Sequence, residues 1–173
     1  MIRSIEGRAR RLGDNVNTDY IIASTRKRDT LDEAILKHYL LETIDPGFAA
    51  SIGPDDLLVG GRNFGCGSAM EIAATVILAA GIRAVLATSF SRTFYRNAVN
   101  NGLIPVECPT EAIREGDRLS IALADDAITV TDVTARSTAQ GPPISGIMLD
   151  ILNAGGLVAY VRQSRQWLAP NAQ

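Results

Sequence analysis

Leu57-Leu58-Val59-Gly60-Gly61-Arg62-Asn63-Phe64-Gly65-Cys66-Gly67-Ser68 is the stretch on which the fold turns. Its three leading apolar residues read as a short buried strand, and the glycine-rich run after them reads as a loop. From Met70 to Ala80 the residues are apolar on nearly every face, which predicts a buried helix, with Gly81 as its natural stop. Ala84-Val85-Leu86-Ala87 then reads as a second buried strand. A strand, loop, helix, strand order implies an α/β crossover between parallel strands. Such a crossover is expected to be right-handed, with its first loop at the carboxyl end of the first strand, where open sheets bind ligands.

Reading outward toward the N-terminus, Ile2 and Ile5 start a strand. The polar stretch Gly13 to Asp19 reads as a turn leading into Tyr20-Ile21-Ile22. Ser24 to Thr30 is a polar, basic loop. Asp29 or Thr30 is expected to cap an amphipathic helix over Leu31 to Leu41, with Leu31, Ile35, Leu36 and Tyr39 near one face. In the other direction, Ser91 or Thr93 caps a helix through Asn100, Asn101-Gly102 closes it, and Leu103 to Val106 forms a strand whose Pro105 marks an edge or an end. Leu119 to Leu123 and Ile128 to Val133 are spaced as a hairpin around Asp125-Asp126. Gly141-Pro142-Pro143 breaks the chain, and Ile147 to Asn153 reads as a short helix. The 173 residues, 46% of them apolar, suffice for one substantial core, so a single domain over residues 1–173 is expected.

Lys and Arg number 17 against 19 Asp and Glu, a net charge of -2, which offers no electrostatic case for nucleic acid or an anionic membrane. A small molecule or a protein partner is the expectation. Cys66, Cys108 and the single His38 are too few for a four-thiolate zinc site or an iron-sulfur cluster, so any metal must come from another chain. The first residues lack an apolar signal region, and no apolar run approaches about 18 residues. The cytoplasm is therefore the expected compartment.

The loop Asn63 to Ser68 is the strongest chemical signal. Glycines let the backbone approach a ligand, and Ser68 reads as standing at the start of the buried helix. A helix N-terminus favours an anion by roughly 0.3 to 1 kcal/mol, enough to help hold a carboxylate or an alkoxide. It does not make serine a strong base, so Ser68 needs further positive charge. A tight turn with Ser68 as N-cap is the bland alternative. The loop lacks the third glycine of a dinucleotide fingerprint and the Gly-Lys-Ser/Thr of a phosphate loop. Cys66 as a nucleophile paired with His38 has little support. Asp14, Thr18 and Asp19 form an Asx-turn rather than a calcium loop, because Val16 occupies a ligand position. Arg26, Lys27 and Arg28 form a basic cluster suited to carboxylates or simply to solvent. Arg92 and Arg96 share a helix face, and His38 reads as structural.

Taken together, four ordered stretches resemble the swivelling domain of the aconitase superfamily, which in isopropylmalate dehydratase, homoaconitase and their relatives is a separate small subunit. They are Gly13 to Ile22, Gly61 to Ser68, Ser89 to Asn97 with Asn100 and Gly102, and Met148 to Tyr160. The resemblance implies a three-layer β/β/α swivelling fold of the α/β class. It implies a large-subunit partner carrying a 4Fe-4S cluster, no cofactor on this chain, and a small hydroxy-diacid substrate. Ser68 falls on the family's catalytic base. Gly65, Cys66, Gly67 and Ala69 fall on the substrate-binding loop around it, and Arg26 and Arg28 lie where relatives read the substrate's distinguishing group. Isopropylmalate is the first expectation; homoaconitate, citramalate and dimethylmalate types, and a non-catalytic swivelling module, are the alternatives. Two departures stand out. Most relatives continue Ser-Ser-Arg-Glu where this chain has Ser68-Ala69-Met70-Glu71, so an arginine that grips a substrate carboxylate is absent, and Arg26 or Arg28 is the expected substitute. The specificity loop reads Ser24-Thr25-Arg26-Lys27-Arg28 where isopropylmalate enzymes commonly have a Tyr-Leu start.

Overall fold

A computed structural model describes residues 4–144 and 146–164. Seven strands, β1 (Ser4–Arg11), β2 (Asp56–Val59), β3 (Ala84–Ala87), β4 (Ile104–Glu107), β5 (Arg118–Leu123), β6 (Ile128–Asp132) and β7 (Ser137–Gly141), form one sheet in the order β4-β3-β2-β1-β5-β6-β7. The β4 to β1 half is parallel, with Leu58 opposite Val85 and Ala84 opposite Ile104, while β5, β6 and β7 continue from β1 antiparallel. The crossovers read from the sequence are present. Helix α4 (Ile72–Ala79) joins β2 to β3, and α5 (Arg92–Asn101), closed by Gly102 at φ 87°, joins β3 to the edge strand β4.

Strands buried on both faces need apolar residues at every position, and β2 and β3 supply them. Leu58, Val85 and Ala87 pack with Ala73, Ala74, Val76 and Ile77 of α4, forming a sheet-on-helix core. Leu57, Val59, Ala84 and Leu86 point the other way and meet Leu119, Ile121, Ile128 and Val130 of the hairpin, forming a sheet-on-sheet core. The sheet therefore curls on itself, and Gly141 at the end of β7 lies against the carbonyl of Glu107 at the end of β4. Helices over a curled sheet make the expected β/β/α layering. Two further helices, α6 (Gly146–Ala154) and α7 (Leu157–Gln163), follow β7, and Ile151 and Leu152 of α6 complete the second core. Across β1 and β2, Asp56 accepts from Arg8 at 2.8 and 3.0 Å and from the buried Arg10 at 2.8 Å.

The N-terminal reading is corrected in several places. Ile2 lies outside the described residues. The run after the Gly13 turn is a single helical turn, α1 (Thr18–Ile21), and the basic loop contains another, α2 (Arg26–Asp29). The expected helix over Leu31 to Leu41 is broken into α3 (Glu33–Leu36), capped by Asp32 rather than Asp29 or Thr30, and a 3-10 turn at Lys37–Tyr39. Leu36, Leu40 and Leu41 are all fully buried, which one straight α-helical face cannot achieve; the tighter turn, with Leu41 at φ 58°, brings the third leucine inward. Leu31 and Ile35 are left exposed. Helix α4 starts at Ile72 rather than Met70. Strand β7 escapes the sequence reading because Ser-Thr-Ala-Gln-Gly is polar and mostly exposed, an edge strand without hydrophobic alternation.

Candidate active site

The loops at the carboxyl ends of β1, β2 and β3 are stitched edge to edge. Asn15 N–H donates to Arg62 O, Gly65 N–H to Val16 O and Thr18 N–H to Cys66 O, each at 2.8 Å. On the other side, Phe64 N–H donates to Ser89 O and Ser91 N–H to Phe64 O, both at 2.9 Å. Side chains reinforce the seam. Ser91 Oγ donates to Gly65 O at 2.6 Å while capping α5, and Thr18 Oγ1 donates to Ser68 O at 3.0 Å. Asn17 caps α1 by accepting from Asp19 N–H at 2.9 Å, so the Asx-turn is made by Asn17, whereas Asp14 accepts from Arg62 N–H. The Arg62 backbone N–H, outweighing desolvation and helped by the Arg62 guanidinium, holds the Asp14 carboxyl below its ordinary pKa.

Two glycines make this path possible. Gly65 (φ 75°) sits against Phe94, and Gly67 (φ 95°) sits against the Asn17 amide, so a Cβ at either position would combine left-handed strain with a collision. Beneath them, Phe64 packs on Phe90 and Phe94 with ring centroids 5.9 and 5.2 Å apart, giving the loop an apolar floor.

Ser68 is exposed at the tip of this loop. It is not the cap of α4, contrary to the sequence reading: Glu71 holds that position, and the first-turn amides of Ala73 and Ala74 donate to Met70 O and Glu71 O. The reason is Met70. Its side chain is only 6% exposed and enters the first core, so the chain runs inward at Ala69-Met70 before the helix begins. Positive potential for Ser68 therefore comes from the loop, where the N–H groups of Gly67, Ser68 and Ala69 find no acceptor among the described residues.

The basic turn divides its charges. Arg26 is committed: its guanidinium makes a bidentate pair with Glu42 at 2.7 and 2.8 Å, which raises its pKa, and it lies 3.9 Å over the Tyr39 ring. Lys27 Nζ reaches Met70 Sδ at 2.8 Å. Arg28 is exposed, with no ion pair among the described residues. The substitute cation expected at Arg26 or Arg28 thus has a third candidate, which the sequence reading passed over because no spacing rule links position 27 to position 70. Asp19 was also passed over: its Oδ1 is buried beside this loop with no hydrogen-bond partner among the described residues.

The remaining candidates separate from the loop. His38 is exposed on the 3-10 turn and makes no hydrogen bond with Cys66 among the described residues. Cys66 is half-buried within the seam, whereas burial, aided by Glu111, pushes the Cys108 thiol up to about 11. Arg92 and Arg96 line a cleft with Phe90, Tyr95, Glu107 and Met148. No group of three or more His, Cys, Asp or Glu side chains able to hold a metal occurs among the described residues, so these donors do not fit an iron-sulfur cluster. No helix among the described residues is long and apolar enough to cross a membrane.

Comparison with known proteins shows the family and the fold. The Aconitase C-terminal domain family matches residues 42–111. The chain is 41% identical to the methanogen homoaconitase small subunit of Methanocaldococcus jannaschii, over 93% of both chains. It is 43% identical to the 3-isopropylmalate dehydratase small subunit of Oleidesulfovibrio alaskensis, over 91% of this chain and 93% of the relative. The crystal structure of 3-isopropylmalate dehydratase from Methanocaldococcus jannaschii superposes with a TM-score of 0.87 at 40% identity, covering 95% of this chain and 97% of that one.

Proposed function

The chain belongs to the small-subunit family built on the aconitase C-terminal domain, and from that premise we propose that it is the small subunit of a 3-isopropylmalate dehydratase. It acts as a hydro-lyase on a small hydroxy diacid, in leucine biosynthesis and in the cytoplasm, when docked as a heterodimer on a large subunit. Homoaconitate, citramalate or dimethylmalate substrates are the same-class alternatives, since relatives of nearly equal identity carry both the homoaconitase and the isopropylmalate names.

One observation carries the reading: an exposed serine on a stitched, glycine-dependent loop, among amides without acceptors and next to a basic turn, at the carboxyl ends of parallel strands. In the proposed chemistry Ser68, as alkoxide, takes the proton from the carbon adjacent to the hydroxyl-bearing carbon. The electron pair of that C–H bond becomes the new double bond as the C–O bond breaks, and the departing hydroxyl takes a proton from an acid group of the assembled site and leaves as water. The amides of Gly67, Ser68 and Ala69 stabilise negative charge on the serine oxygen. Gly65, Cys66, Gly67 and Ala69 shape the substrate loop, Arg28 faces the substrate, and Arg26, through Glu42, holds the basic turn in place. A 4Fe-4S cluster on the large subunit supplies Lewis acidity toward the departing hydroxyl.

The test is turnover by the assembled complex, followed by the absorbance of the unsaturated acid. Ser68→Ala is expected to lower kcat by roughly 10²- to 10⁴-fold with KM little changed. Undiminished turnover would remove Ser68 from its role. A tight complex that turns over no hydroxy diacid would favour a non-catalytic module.

A further inference from the structure

We propose that Lys27 is the residue that binds a substrate carboxylate beside Ser68, with the Met70 thioether as its seat. The inference rests on the hydroxy-diacid reading above and assigns a group that this reading leaves without a partner.

Arg8 and Arg10 share Asp56, Arg26 has Glu42 and Arg62 has Asp14, whereas Lys27, like Arg28 and Lys37, has no carboxylate partner among the described residues. Lys27 is half-buried, yet the partner recorded for it is a sulfur atom 2.8 Å from Nζ. A thioether is a weak acceptor, and an ammonium has three donors. An ammonium with donors to spare and no carboxylate beside it is available to an anionic group. Met70 is packed in the core at 6% exposure, and the ammonium lies against its sulfur. Met70 is two residues from Ser68, so their Cα atoms are at most about 7 Å apart, and Lys27 reaches this segment from α2.

Geometry also selects the ligand. The ammonium approaches position 70 from α2 across 43 residues of sequence, placing a positive charge where an arginine side chain would otherwise project from the loop itself. A lysine presents a point charge with rotatable donors rather than a planar fork. It binds one carboxylate oxygen with little demand on the orientation of the group, so this site should tolerate varied substituents on the carbon next to that carboxylate.

The chain has two lysines, Lys27 and Lys37, which makes the test direct. Reductive methylation with ¹³C-formaldehyde keeps both charges and gives each lysine its own resonance, with Lys27→Arg assigning the signals. Titrating 3-isopropylmalate, homoaconitate, citramalate or 2,3-dimethylmalate into the complex with the large subunit should shift the Lys27 resonance and leave Lys37 in place. In turnover, Lys27→Ala should raise KM roughly 10- to 100-fold while kcat stays within a few-fold. The Lys27→Ala/Met70→Arg double variant should recover most of that loss, which a packing role for Lys27 does not predict, and melting temperatures would verify that both variants fold. A wild-type complex that turns over substrate while the Lys27 resonance stays still, or an unchanged KM in Lys27→Ala, overturns the inference. If the wild-type complex turns over none of these acids, the dehydratase reading fails by itself. The lysine titration with the same acids then decides the inference separately: a selective Lys27 shift supports it, and no shift rejects it.

Discussion

At the scale of single residues, the two cysteines illustrate how context divides identical side chains. Cys108 follows β4 inside the sheet-on-sheet core, where burial and the nearby Glu111 raise its thiol to about 11. Cys66 lies half-buried in the loop seam, with its backbone carbonyl engaged by Thr18. The thiolate is the reactive form, so Cys108 stays protonated and inert across the neutral range. Iodoacetamide at about pH 8 should therefore add one label to the folded chain, at Cys66, with Cys108 labelled only after unfolding; peptide mass spectrometry reads both. Arg26 and Lys27 show the same division: adjacent in sequence, one is neutralised by Glu42 and the other meets only a thioether.

At the scale of elements, Ser91 couples a helix to the site. Its hydroxyl accepts from Phe94 N–H at 3.3 Å to cap α5 and donates to Gly65 O at 2.6 Å. Ser91→Ala removes the cap and one hydrogen bond together, an expected loss of about 2 kcal/mol in chemical denaturation. Because Gly65 is three residues from Ser68, kcat should fall in the assembled complex by more than this stability loss explains. The cap itself was readable, as Ser91 stands where a helix begins. Its second bond was not, because the distance of 26 residues to Gly65 closes only when β2 and β3 pair. The same limit explains the misplaced start of α4: propensity favours helix from Met70, but burial of that side chain in the core keeps the chain extended until Glu71.

At the scale of the whole molecule, Asp56 ties the parallel and antiparallel halves of the sheet, since both its arginine partners lie on β1, the strand the halves share. Burial alone would raise its pKa, but hydrogen bonds from Arg8, from the Gly53 N–H and from Arg10 outweigh that and hold the carboxyl below its ordinary value. A depressed pKa means the folded state favours the charged form. The stabilisation is full above the unfolded carboxylate pKa, near 4, and is lost as pH falls through the lower folded value. Asp56→Asn should cost about 3 kcal/mol at neutral pH, because Arg8 and Arg10 lose the buried carboxylate they share, Arg10 keeping only Glu115 and Ser51. That corresponds to a drop of roughly 6 to 12 °C in Tm. The gap between wild type and variant should narrow as the pH of the melting experiments is taken from about 6 to 3; a constant gap would remove the charge of Asp56 from the account.

The sequence by itself determined the parallel βαβ core, the hairpin and the glycine-rich loop at the strand ends. Apolar continuity in β2 and β3, caps, and glycines at left-handed positions are local signals that act within a few residues. Counting also shows that two cysteines and one histidine are too few to hold an iron-sulfur cluster within this chain. Only the tertiary structure decided the β7 edge, the broken helix around Leu36 to Leu41, the displacement of Ser68 from the α4 cap, and which basic residue of the Arg26 to Arg28 turn is paired. Each of these depends on competition for buried space or for a carboxylate between segments far apart in the chain. Glu42 takes Arg26, Met70 takes the core, and Lys27 and Arg28 are left without a carboxylate among the described residues.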